Sequence, residues 1–219
     1  AGVAHELNEP LGHILGFAQL AHKCPDLPEQ AKADIGKILR TSLYAREIVK
    51  KLLIFARQIP PQKDRVNINH VIDEVLSFLG SQCATNNIEV SCELSPDVPE
   101  IQADPSQLKQ VFVNLIVNAL QAMQNGGDLT VSTRRDKGKV RIVIVDTGTG
   151  MDKDVLRNIF TPFFTTKPIG LGTGLGLPVA HGIVVSHQGT IKIESNAGKG
   201  TTCTVELPAK NRAILERER

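Results

Sequence analysis

Two segments of the chain differ in the spacing of their hydrophobic positions. Over residues 1 to 59, apolar residues recur at alternating intervals of four and three, the heptad spacing of a helix that packs along one stripe. The stripe of the first predicted helix comprises Leu7, Leu11, Ile14, Ala18 and Ala21. The stripe of the second comprises Ala31, Ile35, Ile38, Ser42, Ala45, Val49, Leu52 and Ala56. Pro25 and Pro28 separate the two helices, and Pro60 and Pro61 follow the second. The pattern therefore predicts a helical hairpin.

Two helices of this length hardly bury both of their faces. Pairing of two hairpins would complete their packing as a four-helix bundle. We therefore expect a homodimer that forms through the hairpin, and a first domain that covers residues 1 to 60.

From about residue 66 the pattern becomes that of a mixed α/β domain. A helix is predicted near residues 68 to 85, and alternating apolar positions predict a half-buried strand over residues 88 to 94. Asp104 as N-cap and Pro105 at the first helical position predict the start of a helix that runs to about residue 124.

Two β-hairpins complete this second predicted domain. The paired segments are 129 to 135 with 139 to 146, and 190 to 195 with 201 to 208. Each strand is apolar on one face, so helices are expected to cover one side of the sheet in a two-layer α/β sandwich. We assign this domain to residues 66 to 210, after a polar linker that contains prolines, and a polar C-terminal tail to residues 211 to 219.

Composition narrows the class of partner and the compartment. The net charge is +2, with one tyrosine and no tryptophan. Neither a basic field nor a stacking surface for nucleic acid is therefore expected. The four cysteines form no C-x-x-C pair, which favours a reducing compartment over disulfides or a zinc site. No apolar run approaches the roughly 20 residues of a membrane span. We expect a soluble, cytoplasmic domain pair.

The glycine-rich stretch "GLGTGLGL", residues 170 to 177, precedes a predicted helix. It does not match a dinucleotide turn, because Leu175 stands where a third glycine is required, and it lacks the lysine of a P-loop. Two interpretations stay open at this point. The stretch is either a flexible loop, or a close backbone approach that offers a helix N-terminus to an anion.

Two further stretches allow an ordinary and a chemical interpretation. Asn114 and Asn118 are four apart and project from one face of a helix, either to satisfy backbone groups or to ligate a hard cation such as Mg²⁺. Asp146 ends an apolar strand and is followed by Gly148 and Gly150. It is either a turn aspartate or an acceptor for an amino group on a base.

These stretches occur in a recognisable order with "AHELNEPL", "FTPFFTTK" and "GKGTTCTV". In this order the chain resembles the GHKL superfamily of nucleotide-binding domains, and in particular the sensor histidine kinases of two-component signalling. The N, G1, F, G2 and C-terminal glycine boxes of that family cover about residues 104 to 208, and "AHELNEPL" matches its H box.

The resemblance implies that ATP and Mg²⁺ are the cofactors. Asn118 and Asn114 would lie at the metal and the phosphates, Asp146 would read the adenine amino group, and Thr202 would lie near the base. Gly148 and Gly150 would shape the adenine pocket. The lid over the phosphates would contain Lys167, Gly172, Thr173, Gly174, Leu175 and Gly176. Leu171 stands at a lid position that is commonly charged in the family.

His5 is the candidate phosphate acceptor. It lies about 200° around the helix from Leu7, so that His5 faces solvent when Leu7 faces the stripe. By resemblance His5 accepts the γ-phosphoryl group of ATP, Glu6 orients its ring, and an aspartate of a response regulator receives the phosphoryl group next. Glu9 replaces the Thr, Asn or Gln that is common four residues after the histidine, which argues against phosphatase activity of the usual water-positioning kind.

Two alternatives stay open. The ATP hydrolases of the superfamily carry a glutamate one helical turn before the metal-binding asparagine, where this chain has Asn114, and such a base activates water. A nucleotide-binding module without histidine phosphorylation is the other alternative. The chain begins four residues before His5, so we expect a catalytic fragment whose sensor, and any membrane attachment, lie elsewhere in a longer protein.

Overall fold

The computed structural model divides the chain into two compact units. The residues that the structure describes are 2–56, 62–168 and 172–209. The first unit comprises residues 1–59 together with 165–175, and the second comprises residues 60–164 together with 176–219. No helix within the described ranges combines the length and the apolar character that crossing a membrane requires.

The first unit contains the predicted helical hairpin. Its helices are α1 (Gly2–His22) and α2 (Glu29–Ala56). Leu15 and Ala18 of α1 and the polar Ser42 of α2 are buried. Ile14 and Ile38, which the heptad spacing also assigns to the stripes, are instead 47% and 46% exposed. The apolar surface of each helix is therefore wider than one neighbouring helix covers.

A hydrogen bond connects α2 to the glycine-rich stretch within the same unit. The hydroxyl of Tyr44 donates to the carbonyl oxygen of Gly172 at 2.6 Å. Gly172 also packs closely on Thr165, because a Cβ added at Gly172 would lie 2.6 Å from Thr165 Oγ1. Gly172 is thus close to Thr165 and hydrogen-bonded to the helical hairpin.

The second unit is the predicted two-layer α/β sandwich. Its helices are α3 (Ile68–Thr85), α4 (Pro105–Ala122), α5 (Lys153–Asn158) and α6 (Gly176–Ser186). Its strands are β1 (Asp64–Val66), β2 (Ile88–Leu94), β3 (Ile101–Ala103), β4 (Gly127–Asp136), β5 (Lys139–Asp146), β6 (Thr190–Ser195) and β7 (Thr201–Pro208). The main sheet has five strands in the order β2-β4-β5-β7-β6, and β1 pairs with β3 separately. Only the β2–β4 pair of the main sheet is parallel.

Alternation along the central strand shows where the core lies. In β5 the side chains of Val140, Ile142 and Ile144 are buried, whereas Arg141 and Val143 between them are half-buried. The buried set joins one hydrophobic cluster with residues of α3, α4 and α6. The helices therefore cover one face of the sheet, as the sequence predicts, and the other face is open.

Capping side chains begin the helices at the predicted places. The carboxylate of Asp104 accepts hydrogen bonds from the amides of Ser106 and Gln107 at 2.9 and 3.1 Å, and Pro105 follows it as the first residue of α4. Asn67 caps α3 in the same manner through the amide of Asn69. Each cap satisfies amides that have no partner within the helix.

His187 fastens the end of α6 to the start of α4. Its ring is 3% exposed, and Nε2 accepts a hydrogen bond from the amide of Asp104 at 3.0 Å. Nδ1 lies 2.8 Å from the carbonyl oxygen of Ile183, so the proton resides on Nδ1. Both ring nitrogens are thus occupied by structural hydrogen bonds, which places α6 beside α4.

The two predicted β-hairpins are confirmed, with β4 paired to β5 and β6 paired to β7. The predicted strand at 88 to 94 and the helix at 68 to 85 are confirmed as β2 and α3. The sequence did not predict β1, β3 or α5, which are three, three and six residues long. Elements this short do not establish a period in the sequence.

Candidate active site

Helix α4 brings Asn114 to the start of α6. Asn114 and Asn118 are half-buried, while the adjacent residues Leu115 and Ala119 enter the core. A Cβ added at Gly176 would lie 3.6 Å from Asn114 Oδ1, so the first residue of α6 is beside the Asn114 side chain. An amide oxygen and a helix N-terminus with its unpaired N–H groups are therefore neighbours in the second unit.

Asp146 ends β5 with its carboxylate inside the unit. The residue is 6% exposed, and its Oδ1 accepts a hydrogen bond from the Gly148 amide at 2.9 Å. Burial raises the pKa of the Asp146 carboxyl, and hydrogen bonds from the amides of Gly148 and Thr201 oppose this rise. Burial, and then the charge of Asp146, raise the pKa of Cys203 to about 12, so this thiol stays protonated. The carboxylate is thus a buried hydrogen-bond acceptor that backbone amides hold in place.

The two glycines after Asp146 permit close packing of the loop. A Cβ at Gly148 would lie 2.7 Å from the carbonyl oxygen of Ala122, the last residue of α4, and the adjacent Thr149 amide donates to that same oxygen at 3.0 Å. Gly150 has a φ of +62°, and a Cβ there would overlap the carbonyl oxygen of Asn196. Any side chain at either position would push the loop away from its supports. The predicted role of these glycines in shaping an adenine pocket stays a prediction.

Thr201, and not the predicted Thr202, lies beside Asp146. In the β5–β7 ladder Asp146 pairs with Thr201 and Val145 pairs with Thr202. Directly paired residues face the same side of a sheet and consecutive residues face opposite sides, so Thr202 projects from the open face. Thr201 is therefore the threonine next to Asp146, and the predicted position of Thr202 near a base stays a prediction. The stretch "GKGTTCTV" contains two adjacent threonines, and only the strand register distinguishes them.

The predicted lid residues belong to the first unit as far as residue 175. Thr165 Oγ1 accepts a hydrogen bond from the Lys167 amide at 3.2 Å, and burial lowers the pKa of the Lys167 side chain. Thr173 and Gly174 are half-buried, and Leu175 is 1% exposed and serves packing. Gly170 and Leu171 lie outside the described residues. The predicted phosphate role of this segment stays a prediction.

His5 and Glu6 lie within helix α1, but their side chains are outside the part of the structure that is described. Glu9, one turn further along, is exposed. The predicted roles of His5 and Glu6 therefore stay predictions. Ser195 was not identified from the sequence, although it contacts both Met151 and Thr201 beside Asp146. A serine that ends a strand gives no sign of such long-range contacts.

Comparison with known families matches two segments of the chain. Residues 1–60 match the model described as "His Kinase A (phospho-acceptor) domain". Residues 103–211 match the model described as "Histidine kinase-, DNA gyrase B-, and HSP90-like ATPase". The fold and the site therefore define a nucleotide-binding sandwich of the kind that histidine kinases, gyrase and HSP90 share, joined to a phospho-acceptor hairpin.

Individual relatives narrow this class. Sporulation kinase E of Bacillus subtilis (strain 168) is 34% identical over 97% of this chain and 28% of its own length. Sensor histidine kinase ZraS of Escherichia coli (strain K12) is 36% identical over 95% of this chain and 44% of its own length. The chain thus spans less than half of these curated relatives. It belongs to the sensor histidine kinases, as the motif order predicts.

Solved structures agree with this assignment. Full-length ShkA in complex with AMPPNP has a TM-score of 0.78 and 25% identity, over 95% of this chain and 45% of ShkA. Histidine kinase ThkA in complex with the response regulator protein TrrA has a TM-score of 0.70 and 29% identity, over 96% of this chain and 60% of that chain. The fold prediction of a helical hairpin followed by a GHKL sandwich is confirmed.

Proposed function

We propose that this chain binds ATP with Mg²⁺ in its second unit, autophosphorylates on His5 and passes the phosphoryl group to an aspartate of a response regulator. The observation that favours a kinase over a hydrolase is the placement of Asn114. Its amide oxygen lies at the start of α6, and an amide cannot activate water as the glutamate of the related hydrolases does.

The proposed binding of the adenine base depends on Asp146. An ionised carboxylate only accepts hydrogen bonds, so it complements the amino group of adenine and opposes the carbonyl group that guanine has at the same position. The amides of Gly148 and Thr201 orient the carboxylate from within the protein. The ligand therefore meets an acceptor that needs no rearrangement.

The proposed binding of Mg²⁺ and the phosphates depends on Asn114, Asn118 and the start of α6. The amide oxygens of Asn114 and Asn118 would hold Mg²⁺ together with phosphate oxygens, since this cation prefers oxygen ligands. Among the described residues, no group of three or more His, Cys, Asp or Glu side chains could hold a metal ion instead. When bound, Mg²⁺ would neutralise negative charge on the phosphates. The N–H groups at the start of α6 supply further positive potential.

The acceptor step follows the chemistry of imidazole. A nitrogen of the neutral His5 ring forms a bond to the γ-phosphorus while the bond from that phosphorus to the β,γ-bridging oxygen breaks, and ADP leaves. Glu6 would hold the other ring nitrogen, fix the tautomer and stabilise the proton that remains on the ring. The regulator's aspartate then takes the phosphoryl group and restores the free histidine.

Dimerisation and the partner also belong to the proposal. Helix α1 exposes Ile14, Phe17 and Leu20, and α2 exposes Ile38 and Leu43, an apolar surface of the kind that a second hairpin covers. The complex of ThkA with TrrA supports a response regulator as the partner. We place the chain in the cytoplasm, since ATP is its substrate and its cysteines are free thiols.

The test is incubation of the purified chain with Mg²⁺ and γ-labelled ATP, followed by acid and base treatment of the labelled protein. We expect acid-labile, base-stable label that is absent from His5→Gln. His13→Gln is the matched control, because His13 is an exposed histidine on the same helix, and it should retain the label. Label that persists in His5→Gln, or steady ATP hydrolysis that is unaffected by this change, contradicts the proposal.

A further inference from the structure

One hydroxyl lies at the junction of the chain segments around Asp146. Ser195 ends β6, and its Oγ accepts a hydrogen bond from the Met151 amide at 2.9 Å and donates one to the Gly200 carbonyl oxygen at 2.9 Å. Its Oγ also lies 2.9 Å from Thr201 Oγ1. A hydroxyl offers one donor and two acceptor positions, so these three contacts use its full capacity.

Each of these contacts fixes a group near the carboxylate. Met151 closes the short loop that begins at Asp146, and the Thr201 amide donates to the Asp146 carboxylate. Gly200 packs so closely on this loop that an added Cβ would overlap the Asp146 carbonyl oxygen. Ser195 is therefore connected to Asp146 from two directions, through the loop and through the start of β7.

Another hydrogen bond joins these segments. The amide of Gly198 donates to the carbonyl oxygen of Thr149 at 2.7 Å, which joins the β6–β7 turn to the loop once. Strand β6 is at the edge of the sheet and pairs only with β7. The turn after it is thus supported by the sheet on one side, and the Ser195 hydroxyl and the Gly198 amide connect it to the loop.

We propose that Ser195 is a positioning residue for adenine recognition, whose hydroxyl holds the Asp146 loop and Thr201 in the arrangement that reads the base. Ser195 itself does not touch the nucleotide. The inference rests on the proposed binding of ATP. Because it concerns the orientation of the Asp146 carboxylate, loss of the Ser195 hydroxyl should change how well the site distinguishes adenine from other bases.

The experiment compares ATP with inosine triphosphate, which carries a carbonyl group in place of the adenine amino group. Dissociation constants are measured by isothermal titration calorimetry for the wild-type chain, Ser195→Ala and Ser195→Cys. The cysteine variant keeps the side-chain size but bonds weakly. In both variants we expect binding of ATP to weaken about tenfold and binding of inosine triphosphate by at most about twofold.

Two further variants separate positioning from a general effect on folding. Ser195→Thr keeps a hydroxyl and should stay within about threefold of the wild-type ATP affinity. Thr204→Val removes a hydroxyl from the open face of the neighbouring strand β7 and should bind like the wild type. Equal weakening for both nucleotides in the alanine and cysteine variants, or no weakening, overturns the role of Ser195. A wild-type chain that binds neither nucleotide overturns the proposed ATP binding itself.

Discussion

The substitution Asp146→Asn tests the base-binding site with almost no change in shape. The carboxylate of Asp146 accepts hydrogen bonds from the amides of Gly148 and Thr201, and it retains capacity for an amino group on a base. Asparagine keeps one acceptor oxygen and replaces the other by an NH₂ group, which cannot accept. Either a backbone amide or the ligand must therefore lose its partner.

The cost can be estimated from these contacts. A hydrogen bond to a charged group contributes about 1.5–3 kcal/mol, so the affinity for ATP should fall by about ten- to 150-fold. Folding stability should change less, because two effects oppose each other. Burial raises the pKa of Asp146, so loss of the charge removes an unfavourable contribution, while a buried amide without a partner costs about 1–3 kcal/mol.

Calorimetric titration with ATP, together with urea denaturation of the same samples, separates the two quantities. Asp128→Asn is the matched control, because Asp128 is the second residue of β4, close by, but has an exposed side chain. We expect it to bind ATP like the wild type. If Asp146→Asn bound ATP as tightly as the control, Asp146 would not be the acceptor for the base.

Three further results are expected. The affinity for ATP should decrease as the pH falls, at pH values above the ordinary aspartate range, because burial raises the pKa of Asp146 and a protonated carboxyl donates where an acceptor is needed. If the wild-type chain and Asp146→Asn had the same affinity for ATP at every pH, this expectation would be refuted. His187→Ala should lower the free energy of unfolding in urea by about 1–3 kcal/mol, because the amide of the half-buried Asp104 loses its acceptor, and an unchanged midpoint would contradict the structural role. Tyr44→Phe should speed amide hydrogen exchange over residues 172–175, since the bond to the Gly172 carbonyl is lost; unchanged exchange would show that the bond does not hold this segment.

Elements that depend on local chemistry could be predicted from the sequence. Asp104 followed by Pro105 marks the start of α4 because capping involves only the next few amides. The hairpins follow from strict alternation on either side of a short turn. The order of the motifs then indicates the family, because the boxes follow one another along this chain in the same order as in the family.

Features that depend on distant contacts could not be predicted. The choice between Thr201 and Thr202 is set by the pairing of β7 with β5, and a shift of one residue reverses the face of every side chain. Ser195 contacts Met151 across 44 residues of chain. Ile14 is exposed in spite of its place in the heptad stripe, because one neighbouring helix covers only part of the surface of α1. Each of these depends on the folded arrangement and has no local pattern.

The bond from Tyr44 to Gly172 also gives the chain an optical label of its own. Tyr44 is the single tyrosine, and the chain contains no tryptophan. Tyrosine absorption and emission from the unmodified protein therefore arise from one phenol ring, and a phenol that donates to a carbonyl oxygen differs spectroscopically from one bonded to water. Steady-state or stopped-flow emission can thus follow the segment around Gly172 in real time, without a dye, an added residue or a substitution.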